Sequence, residues 1–242
     1  MPLGIIVNTA SIIFGGVIGT WAGGKLSENF KENMNMIFGC CSMAMGISSI
    51  VLMGNMPAVI FSVVIGTAVG LAVRLGDRIN NAGKMMQCFM SRFIRHPDTA
   101  ASKEEDSMLV TAIVLFCASG TGIYGAIVSG ITGDHSILIA KSILDLFTAI
   151  IFACSLGITV SMIAILQVLI FMVLFLCAGF IFPLTTDEMI NDFKACGGVL
   201  MLATGFRISK VKMFPTADMI PAMVIVMPVS WLWTSYVLPL IG

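Results

Sequence analysis

Lys141 and Asp145 are the residues whose types and spacing most plainly offer chemistry in this 242-residue sequence. They lie four apart in an otherwise apolar run, ILIAKSILDLFTAIIF (137–152), so a helix sets ammonium and carboxylate on one face where they can pair. Charges at membrane depth are rare, face the protein interior and commonly mark ion pathways or coupling. On that reading Asp145 takes up and releases H+ or Na+, with Lys141 as its competing counter-ion. The structural alternative is a self-neutralising pair that fixes helix packing. Asn8 and Gln167 are amides in apolar surroundings, where a polar group left without partners costs several kcal/mol. They serve either as helix–helix hydrogen bonds or as solute ligands.

Just before the charged pair, SGTGIYGAIVSGITGDH (119–135) mixes hydroxyls with Gly120, Gly122, Gly125, Gly130 and Gly133. Glycine lets backbone leave helical geometry, and freed backbone groups are tolerated in a bilayer only where they are buried or line a cavity. These five glycines are therefore expected to break the span, with Ser119, Thr121 and Tyr124 as further ligands for a small ion. Close helix packing of the small-xxx-small kind is the alternative use of the same glycines. Asp134 reads as a helix N-cap, and His135 beside it could relay protons.

Other chemistry is excluded. Two histidines and seven cysteines at 40, 41, 88, 117, 154, 177 and 196 form no CxxC and no metal-ligand spacing. The 19 methionines read as adaptable core filler. No GxSxG, HExxH or paired catalytic carboxylates appear, so neither an enzyme nor a bound cofactor is expected.

The elements that must position these groups are membrane helices. The chain is 58% hydrophobic and 11% charged, against roughly 25% charged in soluble domains. Its net charge of zero gives no reason to expect a nucleic-acid partner. The fold expected is all-α, a single integral membrane domain over 1–242 whose partner is the lipid bilayer. About eight spans are expected, at 3–22, 36–53, 57–75, 108–130, 137–155, 159–182, 195–206 and 217–240. With both termini outside and sides alternating, eleven of the 13 Lys and Arg fall inside; Lys194 falls outside and Lys141 in the membrane. The loop 76–107 is then cytoplasmic, and KMMQCFMSRFIR (84–95) within it suits a helix lying on the inner leaflet.

An ungapped offset of 159 sets Glu28 on Asp187, Gly39 on Gly198, Gly46 on Gly205 and Asn8 on Gln167. After a five-residue insertion MPAVI (56–60) meets IPAMV (220–224). Residues 1–75 and 159–240 thus read as an inverted three-span repeat flanking a central polar pair of spans over 108–155, a recurring transporter plan. The glycine-rich first or third span also offers a homodimer contact.

Three stretches, LGIIVNTASIIFGGVIGTWAG, GTGIYGAIVSGITGDHSILIAKSILDLFTAIIFACSLGITVS and GGVLMLATGFRIS, together resemble the YdfK/YqgA-type multi-pass membrane proteins. These are grouped as a domain of unknown function (number 554). The resemblance covers nearly the whole chain and implies a prokaryotic plasma-membrane protein; it carries no binding residues with it. The function expected is transport of a small ion or polar solute near the bilayer midplane, by a secondary transporter or channel. A non-transporting scaffold or signalling protein, acting through the 76–107 loop, is the alternative.

Overall fold

The structure, a computed structural model, describes residues 1–22, 27–94, 109, 112–117, 119–181 and 185–241. Among these every regular element is helical. Helix is the outcome expected in lipid, because it satisfies each backbone N–H and C=O within one segment. The elements are α1 (Leu3–Ala22), α2 (Glu28–Ile50), α3 (Met56–Ala72), α4 (Leu75–Ile94), α5 (Gly120–Thr132), α6 (Ser136–Leu156), α7 (Thr159–Ile181), α8 (Asp187–Ile208) and α9 (Pro221–Leu232). A π-helical turn, Trp233–Val237, continues α9 into the short α10 (Leu238–Ile241).

Among the described residues five helices are long and apolar enough to cross a membrane, or six if the bent pair Met56–Ala72 and Leu75–Ala82 counts as one span. The expectation of eight narrows at α2 and α8. Both have the length, at 23 and 22 residues, but α2 carries Glu28, Lys31 and Glu32, and α8 carries Asp187, Glu188, Asp192, Lys194 and Arg207. The helix expected over 195–206 is therefore longer than its apolar centre. It starts at a Thr186 cap that accepts from Met189 N–H, and it has acidic residues in the first turn and Arg207 in the last, as the helix dipole favours. The interfacial segment 84–95 is helical to Ile94 within α4, and its last residue lies outside the described set.

The chain divides into two compact units, residues 1–35 with 77–178 and residues 36–76 with 179–242. In the first, α1 and α6 run parallel: Gly4 meets His135 and Leu138, Gly15 meets Leu146 and Ala149, and Gly19 meets Ile150 and Ala153. Helices α5 and α7 run the opposite way, since Gly122 and Gly125 of α5 face Lys141 and Leu138 of α6, and Gly16 of α1 faces Ser161 of α7. A Cβ on Gly15, Gly16 or Gly19 would collide with the neighbouring helix, so the small-residue stripe there serves close packing. The outward faces stay apolar, as along α7 at Ile165, Leu169, Val173 and Leu176.

The second unit has the same set of directions. Helix α9 runs against α3, with Ala222 on Gly66 and Asp218 on Gly70, and against α8, where Thr216 meets Arg207 and Ser230 meets Asp192. Helices α3 and α8 are therefore parallel. Helix α2 crosses α8 antiparallel through reciprocal contacts: Gly39 lies against the Gly205 carbonyl and Gly46 against the Gly198 carbonyl. The glycine faces of α1 and α3, offered above for a homodimer contact, are filled within the chain.

Candidate functional site

In the first unit the polar residues of three helices meet. The Lys141 ammonium donates to both Asp145 oxygens, at 2.7 Å to Oδ1 and 2.6 Å to Oδ2. Asn8 Nδ2 donates to Asp145 Oδ2 at 2.8 Å. Asn8 Oδ1 in turn accepts from Gln167 Nε2. The Thr9 hydroxyl stands 3.3 Å from Gln167 Oε1 and 2.8 Å from its own helix at Ile5 O. Asn8 and Gln167 are 0% exposed, Lys141 4% and Asp145 5%. The charged pair is thus net neutral, and every oxygen of Asp145 is satisfied. These conditions are what allow ions to stay in a medium that would otherwise exclude them.

Apolar layers seal this network on two sides. Ile5 on α1, Leu138 on α6 and Phe171 on α7 belong to one buried cluster; Ile12, Ala149 and Ile163 on the same three helices belong to another. Asn8, Asp145 and Gln167 each lie between them in sequence: Asn8 and Gln167 one turn from each layer, Asp145 one turn from Ala149 and two from Leu138. Helical spacing thus sets the polar level on each helix: Asn8 on α1, Lys141 with Asp145 on α6, and Gln167 on α7.

Helix α5 closes a further side. A Cβ at Gly122 would overlap the Phe171 ring and lie 3.0 Å from Lys141 Cε, so glycine here makes room for the lysine stem. Among the described residues just before α5, Ser119 lies outside the helix. Ser119 is extended (φ −72°, ψ 140°) and caps α5 by accepting from Gly122 N–H. Gly120 opens α5, and Gly122, Gly125 and Gly130, expected as breaks, lie in regular helix. Gly122, Gly125 and Gly130 are used instead for approach to Phe171, Leu138 and Phe175. Gly133 does leave the helix, as its left-handed C-cap (φ 72°). Of the other expected ligands, Tyr124 is fully buried, and Thr121 is buried without a hydrogen bond to the Asp145 network. Asp134 Oδ1 accepts from Ser136 N–H and Oγ–H, one residue ahead of the N-cap of α6, which is His135 and not Asp134 as expected. His135 Nδ1 bonds the Ser129 hydroxyl at 2.6 Å, joining the ends of α5 and α6.

A second buried carboxylate lies in the other unit and had not been singled out. Asp192 on α8 is 0% exposed. Its Oδ1 accepts from the backbone N–H groups of Gly54 (2.9 Å) and Asn55 (2.8 Å) at the start of α3. Its Oδ2 accepts from Asn55 Nδ2 (3.0 Å) and the Ser230 hydroxyl (2.6 Å). Asn55 Nδ2 also reaches Thr234 Oγ1 at 3.2 Å. Hence an Asn–Asp hydrogen bond occurs once in each unit, with both partners 137 residues apart each time.

A repeat in the sequence carries this signal. Ile13, Phe14, Val17, Ile18, Gly19 and Thr20 recur 47 positions on as Ile60, Phe61, Val64, Ile65, Gly66 and Thr67, and the same step takes Asn8 to Asn55 and Asp145 to Asp192. The parallel pair α1 and α6 thus has its counterpart in the parallel pair α3 and α8.

Comparison with known proteins fits this geometry to a lineage. The profile of the family described as "Protein of unknown function (DUF554)" matches residues 3–231. The chain belongs to this family. It is 44% identical over 236 residues to "Uncharacterized protein YqgA" of Escherichia coli (strain K12), covering 98% of this chain and 99% of that one. It is 26% identical over 222 residues to "Uncharacterized membrane protein YdfK" of Bacillus subtilis (strain 168), covering 92% and 93%. No solved structure matches. Family membership and the apolar helices together make this a multi-helix membrane protein.

Proposed function

We propose that the protein is a small secondary transporter or channel that moves a small ion or polar solute across the prokaryotic plasma membrane. The observation that carries this reading is the sealed polar network of Asn8, Lys141, Asp145 and Gln167. A charged pair hydrogen-bonded to one amide, itself bonded to a second on a third helix, is more than helix packing needs, and intramembrane ionisable groups characteristically mark ion and proton pathways. Asp145 is the group that exchanges H+ or Na+, Lys141 competes for it, and Asn8 and Gln167 orient the carboxylate and the solute.

The same reading takes eight alternating spans with both ends outside. Its support is that the directions found inside each unit are those such alternation requires: first and fifth spans parallel, third and seventh parallel, and their partners opposed. The inverted repeat is supported by contacts that its 159-residue offset exchanges. Asn8 bonds its own counterpart Gln167, and the Gly39–Gly205 and Gly46–Gly198 contacts swap into one another. Two such halves exchange the open side by swapping conformations.

The test is uptake into liposomes by purified protein, with a thermal-shift screen of ions and small solutes run first, because a bound solute stabilises the fold by mass action. Asp145→Asn should abolish uptake while the protein stays folded. Unchanged uptake with only a lowered unfolding midpoint would sink the proposal and favour a scaffold role for the network.

A further inference from the structure

Asp145 and Asp192 stand in corresponding places, but their charges are balanced differently. Lys141 neutralises Asp145. The residue 47 positions after Lys141 is Glu188, which is exposed, and among the described residues Asp192 makes no ion pair. Its partners are all neutral donors: two backbone N–H groups, one amide and one hydroxyl. One copy of the arrangement therefore has a built-in cation and the other has none, although both are buried among apolar helices.

The groups around Asp192 are also those that hold a hard cation. Asn55 Nδ2 bridges Asp192 Oδ2 and Thr234 Oγ1, and Ser230 Oγ stands 2.6 Å from the same Oδ2. The two ends of an amide are nearly equal in size and opposite in polarity. With the Asn55 amide turned over, its oxygen joins Asp192 Oδ2, Ser230 Oγ and Thr234 Oγ1, and the amide no longer donates between them, leaving the Ser230 hydroxyl as the donor to Oδ2. Carboxylate, amide carbonyl and hydroxyl oxygens are the ligands that hard cations take. The helix that supplies both hydroxyls is itself irregular, with Pro228 inside α9 and a π-helical turn from Trp233. Single π turns recur at functional sites.

We propose that Asp192, Asn55, Ser230 and Thr234 form a second site, which binds a small monovalent cation of the Na+ class in the role that Lys141 fills beside Asp145. Its use as a coupling ion rests on the transport reading above; the binding itself does not.

The experiment is thermal unfolding of the full chain in detergent or nanodiscs, titrating NaCl against choline chloride and against KCl at constant ionic strength and neutral pH. The wild-type midpoint should rise saturably with Na+ alone, by ~5 °C at roughly 100-fold excess over Kd. Asp192→Asn should remove the response. Ser230→Ala and Thr234→Val, which keep the carboxylate and serve if the first variant does not fold, should raise the half-saturating Na+ concentration several-fold. A wild-type midpoint that does not distinguish Na+ from choline overturns the proposal, as does a response that survives unchanged in Asp192→Asn. The liposome assay fails separately: wild-type uptake by Asp145→Asn would remove the transport reading and leave Na+ binding at Asp192 untouched.

Discussion

Removing one partner from a buried ion pair strands the other, and this asymmetry makes Lys141 informative. Lys141→Ala should cost roughly 3–5 kcal/mol, because it leaves the buried Asp145 carboxyl without its partner. Replacing both, as Lys141→Met with Asp145→Leu, should recover most of that loss, since well-packed apolar residues often equal a buried pair. Reversible unfolding in detergent measures both variants. A double variant that is stable but inactive in uptake assigns the pair to function; one that is stable and active assigns it to packing. These residues stood out in the sequence because each is polar in a run with no other reason to be polar. Asp192 did not. It lies in TTDEMINDFK, where acids and a lysine resemble the solvated start of a helix. Burial against Asn55 and Ser230 sets it apart, and in the sequence only the 47-residue step from Asp145 points to it.

Helix packing turns on what glycine is used for. At Gly122 the missing Cβ is space already taken by Phe171 and the Lys141 stem, so Gly122→Ala should displace the lysine and cost about 1–3 kcal/mol through overpacking. At Gly133 nothing lies within 4 Å but φ is +72°, so Gly133→Ala should cost roughly 1–2 kcal/mol of backbone strain. Uptake separates the two where stability does not. Gly122→Ala should impair it through Lys141, while Gly133→Ala should leave it near wild type. The glycine content of 120–133 was evident from sequence, but its purpose was not. A glycine in a helix and a glycine ending one are the same letter, and what lies beside the Cα decides between them.

At the scale of the whole molecule, topology and independence are the testable points. A periplasmic reporter fused after Gly242 should be active and one inserted in the 76–107 loop inactive; an inactive C-terminal fusion would rule out eight spans with both ends outside. Asn8 bonds Asp145 and Gln167 while Asn55 bonds Asp192 and Thr234, so the stability losses of Asn8→Ala and Asn55→Ala should add within about 0.5 kcal/mol in the double variant.

The sequence by itself determined that the chain is a helical membrane protein of this family, and which residues of α1, α6 and α7 are polar among apolar neighbours. Apolar length, charge bias and isolated polar positions in apolar stretches are properties of consecutive residues, so they can be read along the chain. The tertiary structure alone decided which of those groups touch. Asn8 finds Asp145 at 137 residues' distance, and Ser230 finds Asp192 at 38. It also decided that the same Asn–Asp bond is built twice, once beside an ammonium and once without. Whether a buried carboxylate is balanced depends on which donors arrive from other helices, and helix packing alone brings them there.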